Sequence, residues 1–154
     1  MTPCTPVALA LALLGHPFLA LAQERPIKQA DLPGPVAKTV ADQSRGAVVR
    51  GLSRERENGK TYYEVELRVN GRSKDVLIDT AGTVVEVEEQ VNLADLPPAV
   101  RTALETGAGK GKIQVVESLS KQGKLVAYEA HILTGKKRSE VRVGPDGKPL
   151  AHPE

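Results

Sequence analysis

The tetrapeptide Ala30-Asp31-Leu32-Pro33 returns as Ala94-Asp95-Leu96-Pro97, and the likeness runs on for roughly fifty residues past each copy. Val36 and Val40 match Val100 and Leu104, and Gly59-Lys60 matches Gly123-Lys124. After a slip of one residue, Tyr63-Glu64 matches Tyr128-Glu129 and Gly82 matches Gly147. Self-similarity of this kind predicts one small supersecondary unit built twice, over residues 23–91 and 92–154. A unit of about 60 residues buries only about 60% of its unfolded surface, so the two should pack together.

Residues 1–22 are expected to be a secretory signal rather than part of the fold. Val7 to Leu14 is an apolar run, and Ala20-Leu21-Ala22 is a small-x-small site just before the polar Gln23. The run is far shorter than the roughly 20 residues a spanning helix needs, and His16-Pro17 interrupts it. Cleavage at Ala22 would discard Cys4, the single cysteine, and leave nothing to form a disulfide. That suits a bacterial periplasmic protein better than a small eukaryotic secreted domain.

Burial falls to Val, Leu, Ile and Ala, since Tyr62, Tyr63 and Tyr128 are the aromatics beyond Phe18. The formal net charge is +2, with acids and bases interspersed. Such a balance makes no long-range field for nucleic acid, and too few aromatics remain to stack on bases. Nucleic acid is therefore not an expected partner, and neither is stable membrane insertion after signal cleavage.

Two short helices are expected. Leu32, Val36 and Val40, and again Leu96, Val100 and Leu104, fall at the four-residue interval of one helix face. Asp31 and Asp95 are placed to cap the first amides, prolines sit in each first turn, and Gly46 and Gly107 lie where the helices should stop. From Tyr62 to Val69 the chain alternates instead, with Tyr63, Val65, Leu67 and Val69 on one side and Tyr62, Glu64, Glu66 and Arg68 on the other. Asn70-Gly71 is a favoured hairpin turn. Further strands are expected over 47–54, 74–79 and 83–88, then over 113–120, 124–133 and 138–143, with a frayed last one at 148–150. The predicted fold is α+β: two tandem units, each a short helix on a four-stranded antiparallel meander, with the two sheets separate or fused.

These residues resemble the PepSY-like family, including its periplasmic branch likened to a beta-lactamase-inhibitor fold. The resemblance rests on Leu96-Pro97-Pro98-Ala99-Val100, on Gly123-Lys124 with Tyr128-Glu129-Ala130, and on Asp146-Gly147-Lys148. The first copy supplies Leu32-Pro33-Gly34-Pro35-Val36, Gly59-Lys60 with Tyr63-Glu64-Val65, and Asp79 to Gly82, where the turn keeps only Asp79 and Gly82 of the pattern. The resemblance implies a secreted or periplasmic, non-catalytic protein, of a kind that in some cases inhibits peptidases.

No reactive constellation stands out. His131 and His152 are the histidines left after export, without a cysteine or a close acidic partner in zinc-site spacing, so neither a metal nor a cofactor is expected. Glu86, Glu88 and Glu89 could attract a cation but read better as a solvated strand edge. Gly107 to Lys112 is not a phosphate loop: Ile113 follows Gly111-Lys112 where Ser or Thr is needed, and the segment leads from helix to strand. Lys136-Lys137-Arg138 makes a small basic hairpin tip. No serine sits in a Gly-x-Ser-x-Gly elbow.

The expected function is therefore binding, not catalysis, of a protein or peptide in the cell envelope, with a peptidase as one such partner. The expected contact residues are Tyr62, Glu64, Glu66 and Arg68 on the outer strand face and the turns Asn70-Gly71 and Thr134-Gly135. The alternative is a sensor or carrier of a small ligand or cation, held by Glu86 to Glu89 or between the units.

Overall fold

The computed structural model describes residues 25–150; the expected signal segment and His152 lie outside them. Eight strands form one antiparallel sheet in chain order: β1 (Arg25–Pro26), β2 (Val48–Glu57), β3 (Lys60–Val69), β4 (Arg72–Asp79), β5 (Val84–Gln90), β6 (Lys112–Lys121), β7 (Lys124–Thr134) and β8 (Lys137–Val143). Helix α1 (Gly34–Gln43) joins β1 to β2, and α2 (Pro98–Ala108) joins β5 to β6. Tight turns set the meander. Asn58-Gly59, Asn70-Gly71 and Gln122-Gly123 all have positive φ at both positions, the conformation whose twist suits a two-residue hairpin.

The expected pair of tandem units, each a helix on its own four-stranded meander, is overturned. The protein is mostly β, with a single sheet running straight through the expected boundary at 91/92. β5 and β6 pair from Glu86 opposite Lys121 to Gln90 opposite Glu117. The physical reason is that a strand edge left at β5 would expose unpaired amides and carbonyls, and β6 satisfies them. The expected strand at 148–150 does not form. Pro149 has no amide hydrogen to give a ladder, and the segment makes only an isolated bridge from Val143 to Pro149.

Both helices lie on one face of the sheet. Val36 and Val40 of α1, with Leu32 just ahead of it, pack with Tyr63, Val65, Leu67, Val76 and Ile78. Val100 and Leu104 of α2 pack with Leu96, Val116, Ala130, Ile132 and Val143. Helices of 10 and 11 residues are marginal alone, so this packing holds them.

Their ends differ from expectation. Asp31 and Asp95 cap neither helix; they belong to 3-10 turns, and Pro33 and Pro97 occupy the N-cap positions without a side-chain bond. Gly107 lies inside α2, where a Cβ would come within 2.6 Å of Val141 Cγ1, and Gly109 ends the helix at φ 55°. Close packing on β8, not termination, requires the glycine at 107.

The two helix starts are fastened alike. Gly82, in the β4–β5 turn, has φ +85°, and a Cβ there would lie 2.7 Å from the Pro35 carbonyl oxygen. Gly147 has φ +80°, and a Cβ there would lie 2.8 Å from the Ala99 carbonyl. Asp79 Oδ1 accepts from the amides of Ala81 and Thr83, both at 2.9 Å, and Asp146 Oδ1 accepts from the Lys148 amide at 3.1 Å. The reduced Asp79 to Gly82 turn therefore still brings bare backbone against a helix.

Candidate functional site

Strand parity divides the sheet. Tyr63, Val65 and Leu67 face the helices, so Tyr62, Glu64, Glu66 and Arg68 face the other way, as the alternation predicts. Carried through the registers, the same parity puts Ser53, Glu55, Glu117, Glu129, His131 and Glu140 on this helix-free face. No helix among the described residues covers it, yet Ser53, Glu55, Glu64, Glu117 and Glu129 are all buried. Neighbouring side chains on the face shield one another. Buried carboxylates demand partners, and here the sheet supplies them across strands.

The densest grouping lies on β6, β7 and β8. Register places Glu129 between Glu117 and Arg142, and His131 between Val115 and Glu140. His131 Nε2 is 2.9 Å from Glu117 Oε2 and 3.8 Å from Glu129 Oε1, while Nδ1 is 3.1 Å from Glu140 Oε1. Arg142 Nε donates to Glu129 Oε2 at 2.6 Å, and its Nη2 contacts the same oxygen. From β4, the Ser73 hydroxyl donates to Glu117 Oε1 at 3.2 Å. Glu140 Oε2 is buried and has no hydrogen-bond partner among the described residues.

These contacts set the charges. Hydrogen bonds to Glu117 and Glu140 outweigh desolvation and push the His131 imidazole up to about 10, so at neutral pH the metal-free ring carries a proton on each nitrogen. Burial raises the Glu129 carboxyl above its ordinary value; Arg142 pulls the other way, and the charge of Glu140 adds to the rise.

The expected contact residues fall into two groups. Tyr62 and Glu66 are half-buried, Glu64 is buried, and Arg68 is exposed. Glu64 Oε2 accepts from the Ser53 hydroxyl at 3.5 Å. The Glu66 carboxyl lies over Gly51, where a Cβ would come within 2.9 Å of it, so this side chain leans across β2. Arg68 Nη1 donates to the Gly71 carbonyl at 2.9 Å, closing its own hairpin. The turns Asn70-Gly71 and Thr134-Gly135 end β3 and β7, two strands running in the same direction, and so share one end of the sheet. The hairpins they belong to, β3–β4 and β7–β8, are separated by β5 and β6, and Tyr62, Glu64, Glu66 and Arg68 on β3 do not adjoin His131 on β7.

The carboxylates of the alternative reading do not converge. Glu86 pairs with Lys121 at 2.9 Å on the helix-free face, whereas Glu89, of opposite parity, pairs with Lys74 at 3.1 Å. β5 and β6 pair through their backbones at the junction where the alternative reading placed a pocket between units. A cleft lined by Arg25, Pro26, Ile27, Asp31 and Arg54 lies instead at the β1–β2 edge.

Sequence reasoning missed the His131 grouping because it looked for partners nearby along the chain. The signal was present in the turns. Pairing Lys121 with Lys124 and Thr134 with Lys137 across two-residue connections sets the registers that bring Glu117 and Glu140 to β7, apart from local bulges.

No family model matches the chain, and no curated protein sequence matches it. Solved structures do. A DUF2874 family protein from Bacteroides ovatus aligns with TM-score 0.59 and 20% identity, over 78% of this chain and 85% of that one. A protein from Bacteroides eggerthii, proposed to be periplasmic, aligns with TM-score 0.64 and 17% identity, over 78% and 86%. A BLIP-like protein from Bacteroides fragilis aligns with TM-score 0.56 and 20% identity, over 79% and 85%. The chain shares their fold. At these identities the likeness reaches architecture alone, so the PepSY-like resemblance narrows to a fold held in common with DUF2874 and BLIP-like proteins.

Proposed function

We propose that the protein is an exported, non-catalytic binding protein of the bacterial cell envelope whose partner is a protein or peptide. The observation that carries this reading is the helix-free face, a sheet surface in which Ser53, Glu64, Glu117, Glu129 and Arg142 are held by cross-strand contacts. A surface ordered before contact loses little side-chain freedom on binding. The fold shared with a BLIP-like protein and with a protein proposed to be periplasmic supports both the compartment and the kind of partner. Inhibition of a peptidase is the finer form of the proposal, with the rigid turns Asn70-Gly71 and Thr134-Gly135 entering its cleft.

The test uses the chain without its signal as bait in an envelope extract, beside a variant carrying Tyr62→Ala and Arg68→Glu. Capture of a partner by the first and its loss with the second is the expected result, followed by loss of activity when that partner is a peptidase. Equal capture by both would remove the face from the proposal, and finding neither a complex nor inhibition would end it.

A further inference from the structure

Glu129, His131 and Glu140 each offer a ligand atom within 4.8 Å of the others, although the three reach the site from two strands. A second observation stands apart from this clustering. The Glu140 side chain is only 8% exposed, and its Oε2 is buried without a hydrogen-bond partner. A buried carboxylate oxygen left in that state is costly, and a cation is one of the few groups that would satisfy it.

We propose that Glu129, His131 and Glu140 form a binding site for a divalent transition-metal ion of the zinc type. The donors decide the class of ion. One imidazole with two carboxylates suits zinc, nickel or copper, whereas calcium takes six to eight oxygens and magnesium keeps an oxygen octahedron. Ligands about 2.0–2.2 Å from a tetrahedral ion stand roughly 3.3 Å apart; Glu140 Oε1, 3.1 Å from His131 Nδ1, is already at that spacing, and Glu129, whose ligand oxygen lies within 4.8 Å of the others, closes on the ion by a side-chain rotation. With Nδ1 on the ion beside Glu140, the other ring nitrogen, Nε2, keeps Glu117 at 2.9 Å, which is the usual outer support of a ligating histidine. Three protein donors leave a coordination position open, and His131, 31% exposed, faces solvent on the side without helices. Charge agrees as well: three carboxylates, Glu117, Glu129 and Glu140, gather around the His131 ring.

The experiment is a calorimetric titration of the untagged, chelator-treated chain, lacking the signal, with zinc and separately with calcium. Cobalt absorption in the visible region and melting temperature serve as parallel readouts. One equivalent of zinc is expected to bind and raise the melting temperature, since the ion binds the folded state. Cobalt should give d–d bands of a nitrogen- and oxygen-ligated site, and calcium at equal concentration should do neither. His131→Gln and Glu140→Gln should each weaken zinc binding at least about tenfold, while His152→Gln leaves it unchanged. The proposal fails if zinc does not bind stoichiometrically, if both site variants bind it like the parent, or if calcium competes equally. Should a site variant not fold, zinc-induced shifts of the His131 ring nitrogens in the parent chain decide: absence of a shift overturns the assignment.

Discussion

The two faces of the sheet reach burial by opposite means. Under the helices, Val65, Val76, Ile78, Val100 and Leu104 are wholly buried and need only shape and the exclusion of water. On the far face, burial takes in Glu55, Glu64, Glu117 and Glu129 beside the apolar Leu119 and Ala127, and the carboxylates are tolerable only with partners in place. An apolar face accepts many equivalent side chains; a buried polar face is specific, since each group depends on a named neighbour. That contrast is why function is sought where helices are absent.

The difference can be broken most forcefully at the polar face. Arg142→Met strands the buried Glu129 carboxylate and should destabilise by about 3–5 kcal/mol in urea melts, whereas pairing it with Glu129→Met should recover most of the loss. If the single variant costs nothing, the polar face is solvated decoration and the contrast collapses. On the apolar face, Leu104→Ala should cost about 2–5 kcal/mol by the same measurement, with no partner substitution that rescues it through charge.

Gly147→Ala puts a Cβ against the Ala99 carbonyl at positive φ and should cost about 1–3 kcal/mol. Gly46→Ala, with positive φ but open space, should cost less, and the gap between the two measures how tightly that turn holds α2.

Titration sharpens the contrast further. In the metal-free protein His131 is raised from 6.5 to about 10, chiefly by Glu117 and Glu140, with Glu129 and Arg142 beside them. Its stabilisation is therefore complete below pH 6.5 and is lost as pH rises toward 10. The slope reaches at most about 1.4 kcal/mol per pH unit. Denaturant midpoints across that window should fall for the parent and stay flatter for His131→Gln. The smallest effect is expected at the half-exposed pair Lys74–Glu89, where Glu89→Gln should change stability by less than about 1 kcal/mol.

Much of the apolar face was legible. The four-residue spacing of Leu32, Val36 and Val40, and of Leu96, Val100 and Leu104, identified buried helix stripes because a helix brings such positions together locally. The alternation over 62–69 likewise assigned Tyr62 and Glu64 to the far face. Gly107 was misread, since a glycine near a helix end looks like a stop signal and only Val141 from β8 reveals a packing role. Glu117 and Glu140 passed unnoticed beside His131 because each looked like ordinary outer-strand charge.

What the chain determined by itself was local: helix stripes, strand parity and the turns that reverse direction, all of which depend on residues a few positions apart. Only the tertiary structure decided that β5 pairs with β6 to make one sheet, and that three carboxylates, one of them held by Arg142, surround one imidazole. Cross-strand neighbours depend on register accumulated over successive hairpins and bulges, and the burial that turns surface charge into a demanding network exists only once those strands lie side by side.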